Sequence, residues 1–458
     1  MTGAADSERD ARSLALSILN RLDREPRHLD GVMETALTAS PLPRREVALT
    51  YALVYGVLRW RGRLDYILSR FSKTPIAKID PPILNILRMG TFQILHLDRI
   101  PDSAAVNTAV NLAKTVAPKW VVRFVNGVLR NVGRQGREVR FPDPQKDPAA
   151  AVSAEAAFPR WLVERWIQRY GAEDARSLCD AVNALPPVTL RTNTLRTDRS
   201  KLMDALSDAA EKRVPTPRAP EGIALYGLRS AVFDLPGYAD GHFQVQDEAA
   251  QLVAHLAAPR PGERILDACA GLGGKTGHLA QLMDNRGEIV AADRDAAKLE
   301  RLKTEMDRLG VGIVATRQVN LDDPPDPDAR GTFDRILVDA PCSGLGVLRR
   351  NPDGKWRTRP GDLANHNKRQ VRFLNHLAPL VNPAGRLVYA VCSFEPEETD
   401  AVATAFSEAH PEFRIIADTE GFPEPARALI DSAGCFRSLP HRAEMDGFFA
   451  VSFQRDGQ

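Results

Sequence analysis

The second half of the chain alternates short apolar runs with amphipathic segments, and this alternation restricts the fold more than any other feature. Runs of strand length occur as RILDAC, EIVAAD, IVATRQ, RILVDA and RLVYAVCS. Segments with apolar residues three and four apart follow most of them, such as DAAKLERLKTEMDRL at 295–309. Strands that alternate with helices of this length indicate a Rossmann-like α/β domain with a doubly wound, mostly parallel sheet, here over residues 241–458. Such a sheet binds ligands outside the carboxyl ends of its strands.

The first half of the chain shows other sequence patterns. Residues 8–135 show helical periodicity throughout, with prolines at the expected breaks, and this predicts an all-α bundle over residues 1–135. The polar, proline-containing residues 136–150 are typical of a linker. Over residues 151–240, an amphipathic helix is followed by a strand and a second helix, which predicts a small α/β subdomain.

The composition narrows the class of protein. Five cysteines are scattered over 458 residues, and no two form a C-x-x-C pair. This spacing argues against a disulfide framework and a zinc site, and it favours a reducing compartment. The chain has no apolar run of 18 residues, and its polar start MTGAADSERDAR lacks the pattern of a signal peptide. We expect a cytoplasmic monomer with no membrane span and no bound metal.

Positive charge is concentrated in the first 140 residues. They hold 22 Lys and Arg against 13 Asp and Glu, whereas the rest of the chain holds 39 against 46. A basic module beside a mildly acidic one is typical of a protein with a polyanionic partner. A solvated helical surface gives the same count, so the charge alone leaves both interpretations open.

A glycine-rich turn follows the first strand of the predicted sheet, in the sequence ILDACAGLGGKTG at 265–277. The phosphate-binding pattern G-x-x-x-x-G-K-[ST] fails because Cys269 stands where its first glycine belongs. The dinucleotide pattern G-x-G-x-x-G fails at Thr276. What fits is D-x-C-x-G-x-G, from Asp267 to Gly273, a variant of the loop of S-adenosylmethionine-dependent methyltransferases.

The chemistry of that cofactor suits this loop. Glycines let the backbone approach the methionine half of the cofactor, and the following helix N-terminus accepts its carboxylate. Asp293 ends the next predicted strand, where an acidic group can bind two ribose hydroxyls. An NAD enzyme would show a similar pair of features, so the loop alone does not decide between these cofactors.

Two apolar runs end in Cys-Ser, at DAPCSG (339–344) and VYAVCSF (388–394). Pro341 holds Cys342 on a rigid turn beyond the strand, and Asp339, the last strand residue, points into the cleft. Carbon 5 of a pyrimidine attacks a sulfonium methyl group only after a thiolate has added at carbon 6. A base must then remove the proton at carbon 5 before the thiol can leave. One cysteine that adds and a second that assists release would explain both thiols.

These motifs, in this order, resemble those of the RNA cytosine-5 methyltransferases of the NOL1/NOP2/Sun family. The stretches that carry the resemblance are ILDACAGLGGKT, AADRDAAKLERL, FDRILVDAPCSGLGVLRRNPDGKW, GRLVYAVCSFEPEET and MDGFFAVSF. The first 130 residues resemble the domain that the bacterial Fmu/Sun branch shares with the antitermination factor NusB, through LVYGVLRWRGRLDYIL, ILRMGTFQILHLDRIPDSAAVNTAV and VNGVLRN. The resemblance implies a NusB-like RNA-binding domain joined to a class I methyltransferase domain. It also implies that S-adenosylmethionine is used to methylate carbon 5 of a cytosine in 16S ribosomal RNA.

The resemblance also assigns roles to residues. It makes Cys392 the nucleophile and Cys342 the release-assisting thiol, an order that the spacing by itself does not decide. Asp339 would hydrogen-bond the cytosine edge, and Lys275 would help to polarise the site. The implied cofactor contacts are Cys269, Ala270, Gly271, Leu272, Gly273, Gly274, Lys275, Asp293, Asn320 and Asp339.

The sequence departs from the family pattern at three places. Gly271 and Leu272 replace Ala-Pro, which loosens the turn but leaves its backbone donors. Val391 replaces the usual threonine beside the nucleophile, and Asn320 replaces an aspartate. None of these changes removes a reacting atom, so we expect an active enzyme with an altered cofactor affinity.

The target cytosine must be unpaired or flipped out, because a base inside duplex RNA cannot reach a thiol at a strand end. A basic cluster with an aromatic residue follows the Pro-Cys turn and is predicted to contact RNA: Arg349, Arg350, Lys355, Trp356 and Arg357. Arg59, Arg61 and Arg63 are weaker candidates in the helical domain. Transfer RNA stays open as the substrate of the same chemistry. A non-catalytic RNA-binding assembly factor is the rival class, and it need not bind S-adenosylmethionine.

Overall fold

The computed structural model describes residues 10–25, 28–40, 42–324, 333–417 and 421–457. The first nine residues of the predicted helical domain therefore lie outside the described residues. Within the described ranges, we find no helix with the length and apolar content that crossing a bilayer requires. The chain divides into two compact units, residues up to Asn183 with Asn351–Arg357, and Ala184–Arg350 with the residues from Thr358 onward.

The first unit is helical. Its helices are α1 (Ala11–Arg24), α2 (Leu29–Ala39), α3 (Arg44–Phe71), α4 (Pro81–His96), α5 (Asp102–Val116), α6 (Lys119–Gln135), α7 (Pro148–Ala156), α8 (Arg160–Tyr170) and α9 (Ala172–Asn183). Prolines begin several of them, as predicted, since Pro43, Pro101 and Pro118 stand directly before α3, α5 and α6. The apolar stripes of α1 to α6 bury one continuous core.

The limits of this unit differ from the predicted domain limits. Helices α7 to α9 group with α1 to α6, although the sequence prediction placed them in the α/β subdomain. Residues 139–147 of the predicted linker form no helix or strand. A short helix that lies late in the sequence, α14 (Gly354–Arg357), also belongs to this unit. The predicted domain boundaries remain a prediction.

The second unit begins with a small antiparallel sheet. Its elements are β1 (Val188–Thr192), α10 (Arg199–Ala205), β2 (Ala210–Pro215), β3 (Gly222–Leu228) and β4 (Phe243–Val245). The strands lie in the order β2-β3-β1-β4. A separate apolar cluster around Leu190 and Phe243 fills one face of this sheet. These elements occupy the later part of the predicted small α/β subdomain (151–240), and β4 lies beyond its predicted end.

The large sheet occupies the rest of the second unit. Its elements are α11 (Glu248–Ala257), β5 (Arg264–Asp267), α12 (Gly274–Leu282), β6 (Glu288–Asp293), α13 (Ala296–Leu309), β7 (Val314–Gln318), β8 (Phe333–Asp339), α15 (Pro360–Leu377), β9 (Val381–Val391), α16 (Asp400–Ala409), β10 (Phe413–Ile415), β11 (Cys435–Ser438), α17 (Pro440–Ala443) and β12 (Phe448–Arg455). Strands β5 to β9 pair in parallel, and β10 to β12 extend the sheet with antiparallel pairs.

The strand order β10-β12-β9-β8-β5-β6-β7 places a topological switch between β5 and β8. From β5 the chain first builds outward through β6 and β7, and it then returns to build β8 and β9 on the other side. Alternate residues of β5, β6, β8 and β9 enter the apolar layers on opposite faces, for example Ile265 and Leu266 in β5. Burial of both faces explains why these strands are almost continuously apolar. The predicted fold class is confirmed, whereas the antiparallel strands were not predicted.

Candidate active site

Four parallel strands end in or directly before residues that bear chemistry. Asp267, Asp293 and Asp339 are the last residues of β5, β6 and β8, and Cys392 follows β9 directly. Because these strands are parallel, their carboxyl ends meet at one edge of the sheet. The switch between β5 and β8 opens at the same edge. The site residues predicted from separate motifs are therefore brought together by the topology.

The glycine turn between β5 and α12 has the conformation that its sequence requires. Gly271 and Gly273 have φ angles of 56° and 84°, in the left-handed region that favours glycine. A Cβ atom on Gly273 would lie 2.8 Å from Cγ of Leu302, whereas one on Gly271 would meet no atom within 4 Å. The turn thus packs tightly at Gly273 and leaves the backbone at Gly271 open to a ligand.

Asp293 fixes this turn through its carboxylate. Its Oδ2 accepts a hydrogen bond from the backbone N–H of Gly271 at 3.0 Å, and its Oδ1 accepts one from Asp295 at 2.9 Å. Asn320 lies two residues beyond β7 and is exposed. Its side chain donates to Asp323 at 3.0 Å and accepts from the backbone of Asp322 at 3.2 Å. Asp293 thus ends β6, as the sequence predicted, whereas Asn320 follows the end of β7.

Asp267 stabilises the glycine turn from inside the protein. It is 1% exposed, and its Oδ2 accepts a hydrogen bond from the Thr276 hydroxyl at 2.7 Å. Burial raises the pKa of Asp267 to about 6, because a charged carboxylate is poorly solvated there. The hydrogen bond from Thr276 and the charge of Lys275 oppose this rise.

The two Cys-Ser turns bring their thiols into contact. The Sγ atoms of Cys342 and Cys392 lie 3.4 Å apart, and both side chains are half-buried. The hydrogen bond to Cys392, followed by burial, raises the pKa of the Cys342 thiol well above its ordinary value. The Cys342 thiol therefore keeps its proton at neutral pH.

Lys275 and Asp339 form an ion pair at the same edge. Lys275 Nζ donates to Asp339 Oδ2 at 2.5 Å and lies 5.4 Å from the ring centroid of Phe448. Burial acts to lower the pKa of Lys275, but Asp339 more than offsets this effect, so that the pKa is raised. A positive charge is thereby held near the Cys392 thiol. About a third of the Asp339 side chain stays exposed, so its carboxylate can still accept a hydrogen bond from a ligand.

Part of the basic cluster that the sequence assigned to RNA is buried. Arg349 is 6% exposed and ion-paired with Asp446 and, at 2.9 Å, with Asp247. Arg350 is partly exposed and pairs with the same two carboxylates at 2.8 and 2.7 Å. These four charges join the start of α11 to the turn after Cys342 and to the residues before β12. The assignment of Arg349 to RNA is corrected, because its charge is neutralised inside the protein.

Lys355 is also buried, within the first unit. Its Nζ donates to Asn183 Oδ1 at 2.6 Å and to the backbone oxygen of Arg59 at 3.2 Å, and it lies 3.7 Å from the ring centroid of Phe158. Burial lowers its pKa well below the ordinary value. With no exposed surface, Lys355 cannot contact RNA in this structure. Its assignment to RNA is therefore corrected as well, because the ammonium group is buried.

The other predicted RNA contacts in the first unit keep part of their surface exposed. Trp356 donates through Nε1 to the backbone oxygen of Leu58 at 2.7 Å, and Arg357 lies 3.1 Å from Nδ1 of His28. Of the weaker candidates, Arg59 is buried, whereas Arg61 pairs with Asp23 and Arg63 donates to the backbone of Glu155. These assignments stay predictions, except that of Arg59, which burial rules out in this structure.

Sequence reasoning missed Glu398. This side chain is fully buried and accepts hydrogen bonds from both serines that follow the two thiols, Ser343 and Ser393. The available signal was the acidic run in EPEET after Cys392, an uncommon place for a buried carboxylate. Only tertiary structure shows which of those acids turns inward.

One group within the described residues offers ligand atoms suited to a metal ion. Glu221, His255 and His278 place such atoms within 4.8 Å of one another. Glu221 Oε2 and His255 Nε2, however, already form a hydrogen bond of 3.0 Å. Burial lowers the pKa of His278, and the nearby guanidinium of Arg191 adds to this effect. A divalent cation would face that buried guanidinium with a single carboxylate as compensation, so we propose no metal site here.

Comparison with known proteins relates nearly the whole of this chain to one family. The family model described as 16S rRNA methyltransferase RsmB/F matches residues 254–454, that of the NusB family matches 9–134, and a ferredoxin-like domain of RsmF/B-like methyltransferases matches 158–230. The chain is 35% identical to the probable ribosomal RNA small subunit methyltransferase B of Bacillus subtilis (strain 168), with 97% of this chain and 99% of that protein covered. It is 36% identical to the protein of the same name from Synechocystis sp., over the same shares of the two chains. The crystal structure of PH0851 covers 97% of this chain and 98% of its own, with a TM-score of 0.79 at 25% identity. The relationship inferred from the motifs is thereby confirmed, and the chain belongs to the RsmB/F family of 16S ribosomal RNA methyltransferases.

Proposed function

We propose that this protein transfers a methyl group from S-adenosylmethionine to carbon 5 of an unpaired or flipped-out cytosine in 16S ribosomal RNA. The observation that supports this most directly is the 3.4 Å separation of the Cys342 and Cys392 sulfurs at the ligand-binding edge of the sheet. A methyl transfer to oxygen or to an exocyclic nitrogen needs no thiol pair. Methylation of carbon 5 needs one thiol that adds to the ring and gains from a second beside it.

The residues of the glycine turn fit the proposed cofactor. The open backbone at Gly271 and the N-terminus of α12 suit its methionine half, and the carboxylate of Asp293 at the end of β6 suits its ribose. When bound, S-adenosylmethionine supplies an electrophilic methyl group on a sulfonium. Asn320 would reach the adenine from beyond β7, where its side-chain oxygen can accept a hydrogen bond.

The two thiols have different roles in the reaction at the cytosine ring. The Cys392 thiolate forms a bond to carbon 6, and the electron pair of the ring double bond moves to carbon 5, which then accepts the methyl group. After a base has removed the proton from carbon 5, the double bond re-forms and the carbon–sulfur bond breaks. Cys342 keeps its proton and lies beside the sulfur that leaves, so its S–H can hydrogen-bond to that sulfur and assist release.

Lys275 and Asp339 orient and polarise the ring. The carboxylate of Asp339 accepts a hydrogen bond from the amino group of cytosine, which holds carbon 6 towards Cys392. The ammonium group of Lys275 fixes Asp339 at 2.5 Å and stabilises a thiolate nearby, since a positive charge in a partly buried site favours the negative form of its neighbour.

Ribosomal RNA is favoured over transfer RNA because the relatives that match the full chain are named ribosomal RNA small subunit methyltransferase B. The NusB-like helices provide a second RNA-binding module on the same chain. A non-catalytic scaffold has no need for a thiol pair in contact beside a lysine–aspartate pair. The observations therefore favour the enzyme.

The test uses two single substitutions with 16S ribosomal RNA and radiolabelled S-adenosylmethionine. Cys392→Ala should abolish transfer, whereas Cys342→Ala should accumulate a covalent protein–RNA adduct that migrates as a shifted band on a denaturing gel. Cys179→Ala is the matched control, because that cysteine is fully buried in the helical unit and bears no proposed role. Both active-site variants should still bind the cofactor.

Two results would contradict the proposal. An adduct formed by Cys392→Ala and not by Cys342→Ala would reverse the roles of the thiols. If bisulfite sequencing found every methylated cytosine of 16S ribosomal RNA unchanged in a deletion strain, the assigned substrate would be wrong.

A further inference from the structure

Glu398 contacts both turns that present the thiols. It ends a short 3-10 helix, Pro396–Glu398, and its side chain is fully buried. Its Oε1 accepts from the backbone N–H of Ser343 at 2.7 Å, and its Oε2 accepts from the hydroxyls of Ser343 and Ser393 at 2.5 and 2.6 Å. These serines follow Cys342 and Cys392 directly. One carboxylate therefore connects the two thiol-bearing turns.

Other buried groups fix the orientation of this carboxylate. Gln370 Nε2 donates to Glu398 Oε1 at 3.3 Å and to the backbone oxygen of Pro341 at 3.0 Å. The Tyr389 hydroxyl donates to the backbone oxygen of Glu398 at 2.6 Å. Glu398 thus has a fixed side chain and a fixed backbone, which is what a residue needs in order to position others.

The network acts differently on the two turns. Cys392 follows β9 directly and is held by that strand, and its backbone oxygen accepts from Gly346 of the Cys342 segment at 2.9 Å. Cys342 lies three residues beyond β8, and its turn is tied to the second turn through Ser343 and Glu398. Loss of the carboxylate should therefore displace Cys342 more than Cys392.

We propose that Glu398 is the positioning residue that keeps the Cys342 thiol in contact with Cys392, and that it thereby sets the rate at which the methylated cytosine is released. The kinetic part of this inference rests on the proposed function, whereas the geometric part does not. Glu398 itself touches neither the RNA nor the cofactor in this proposal. Its effect is transmitted through Ser343 and Ser393.

The kinetic test compares Glu398→Gln with the wild type. Glutamine keeps the size of the side chain but replaces one accepting oxygen with a donating NH2 group, so at least one donor loses its acceptor. We expect kcat to fall about 10- to 100-fold with KM for RNA changed less than about threefold, as for the misplacement of a reacting group. Covalent adduct should accumulate, as with Cys342→Ala but to a smaller extent. Glu397→Gln is the matched control, since it removes the neighbouring charge and leaves the serine network intact.

A double-substitution cycle provides a second kinetic test. Ser343→Ala and Ser393→Ala should each lower kcat, and neither should lower it further in the Glu398→Gln background, because the connection is already broken. Additive effects would overturn the proposal. If Glu398→Gln did not fold, the two serine variants alone would decide, by whether adduct accumulates in Ser343→Ala.

The geometric test needs no RNA. Phenylarsine oxide binds two thiols that lie in contact, with release of water, so the wild type should bind one equivalent and Cys342→Ala none. Glu398→Gln should bind at least about tenfold more weakly if the thiols separate. Weaker arsenical binding together with an absence of RNA methylation by the wild type would support the positioning role and overturn the proposed function. Active wild type with unchanged kcat, adduct and arsenical binding in Glu398→Gln would overturn the positioning role alone.

Discussion

Replacing Arg349 with alanine distinguishes a structural ion-pair network from an RNA contact. The Arg349 side chain is 7% exposed and donates to Asp446, to Asp247 at 2.9 Å and to the backbone oxygen of Glu444 at 3.1 Å. Its removal leaves two buried carboxylates with Arg350 as the remaining guanidinium of the network. We expect loss of stability in the variant and unchanged RNA contacts in the fraction that stays folded.

The size of the effect follows from the geometry. Removing one partner of a buried ion pair costs about 3–5 kcal/mol, because the remaining charge is left uncompensated. Arg350 still reaches Asp247 and Asp446 at 2.7 and 2.8 Å, so part of the compensation is kept. We therefore expect the lower end of that range, about 3 kcal/mol.

Urea unfolding of the wild type and of Arg349→Ala would measure this loss. Arg427→Ala is the control, since Arg427 is exposed and a surface substitution should change the free energy of unfolding by less than about 0.5 kcal/mol. RNA affinity of the folded variant, measured against salt concentration, should keep the slope of the wild type. The reasoning would be refuted by wild-type stability together with a slope reduced by about 0.7–0.9, which is the loss of one phosphate contact.

Two further predictions concern the cofactor turn. Gly273→Ala should destabilise the protein by about 1–3 kcal/mol more than Gly271→Ala, and it should weaken S-adenosylmethionine binding more. The reason is that only a Cβ atom at Gly273 would contact Leu302, at 2.8 Å. Thermal unfolding and calorimetric titration of the two variants would check this. Asp267→Asn should stabilise the protein at pH 8, by up to about 3 kcal/mol, because burial raises the pKa of Asp267 from 3.8 to about 6. The folded state then binds more protons than the unfolded state between these values, so the cost of the charged carboxylate is absent below pH 3.8 and complete above pH 6. The stabilisation by Asp267→Asn should therefore be larger at pH 8 than at pH 4. If urea unfolding showed the same stabilisation at both pH values, the raised pKa of Asp267 would not be its cause.

The sheet and its ligand-binding edge could be predicted because their signals are local. Each parallel strand is an apolar run of its own, and the helix after it has its own periodicity, so β5, β6 and β8 were found close to their observed limits. The antiparallel strands β10 to β12 were missed, since two of them are only three or four residues long. The helix between β11 and β12, Pro440–Ala443, is too short to show helical periodicity. The thiol-bearing turns were identified from sequence because the same Cys-Ser pair ends two such runs.

The basic cluster at 349–357 shows where prediction from local sequence fails. RRNPDGKWR has the composition of a solvated charged segment, and nothing in it indicates partners. Asp247 lies about a hundred residues before Arg349 and Asp446 about a hundred after it, and Asn183 precedes Lys355 by more than 170 residues. Whether a charged side chain meets water or a buried partner depends on these distant residues, so composition could not decide it.

By itself, the sequence determined the alternation of strands and helices, the glycine turn and the two thiols at strand ends, because hydrophobic periodicity and backbone freedom are properties of neighbouring residues. The tertiary structure decided that β8 and β9 lie side by side and that their thiols meet at 3.4 Å. It also decided that Glu398 connects both turns from inside the protein. These facts depend on contacts between residues far apart in the chain, which form only when the apolar faces of the sheet are buried together.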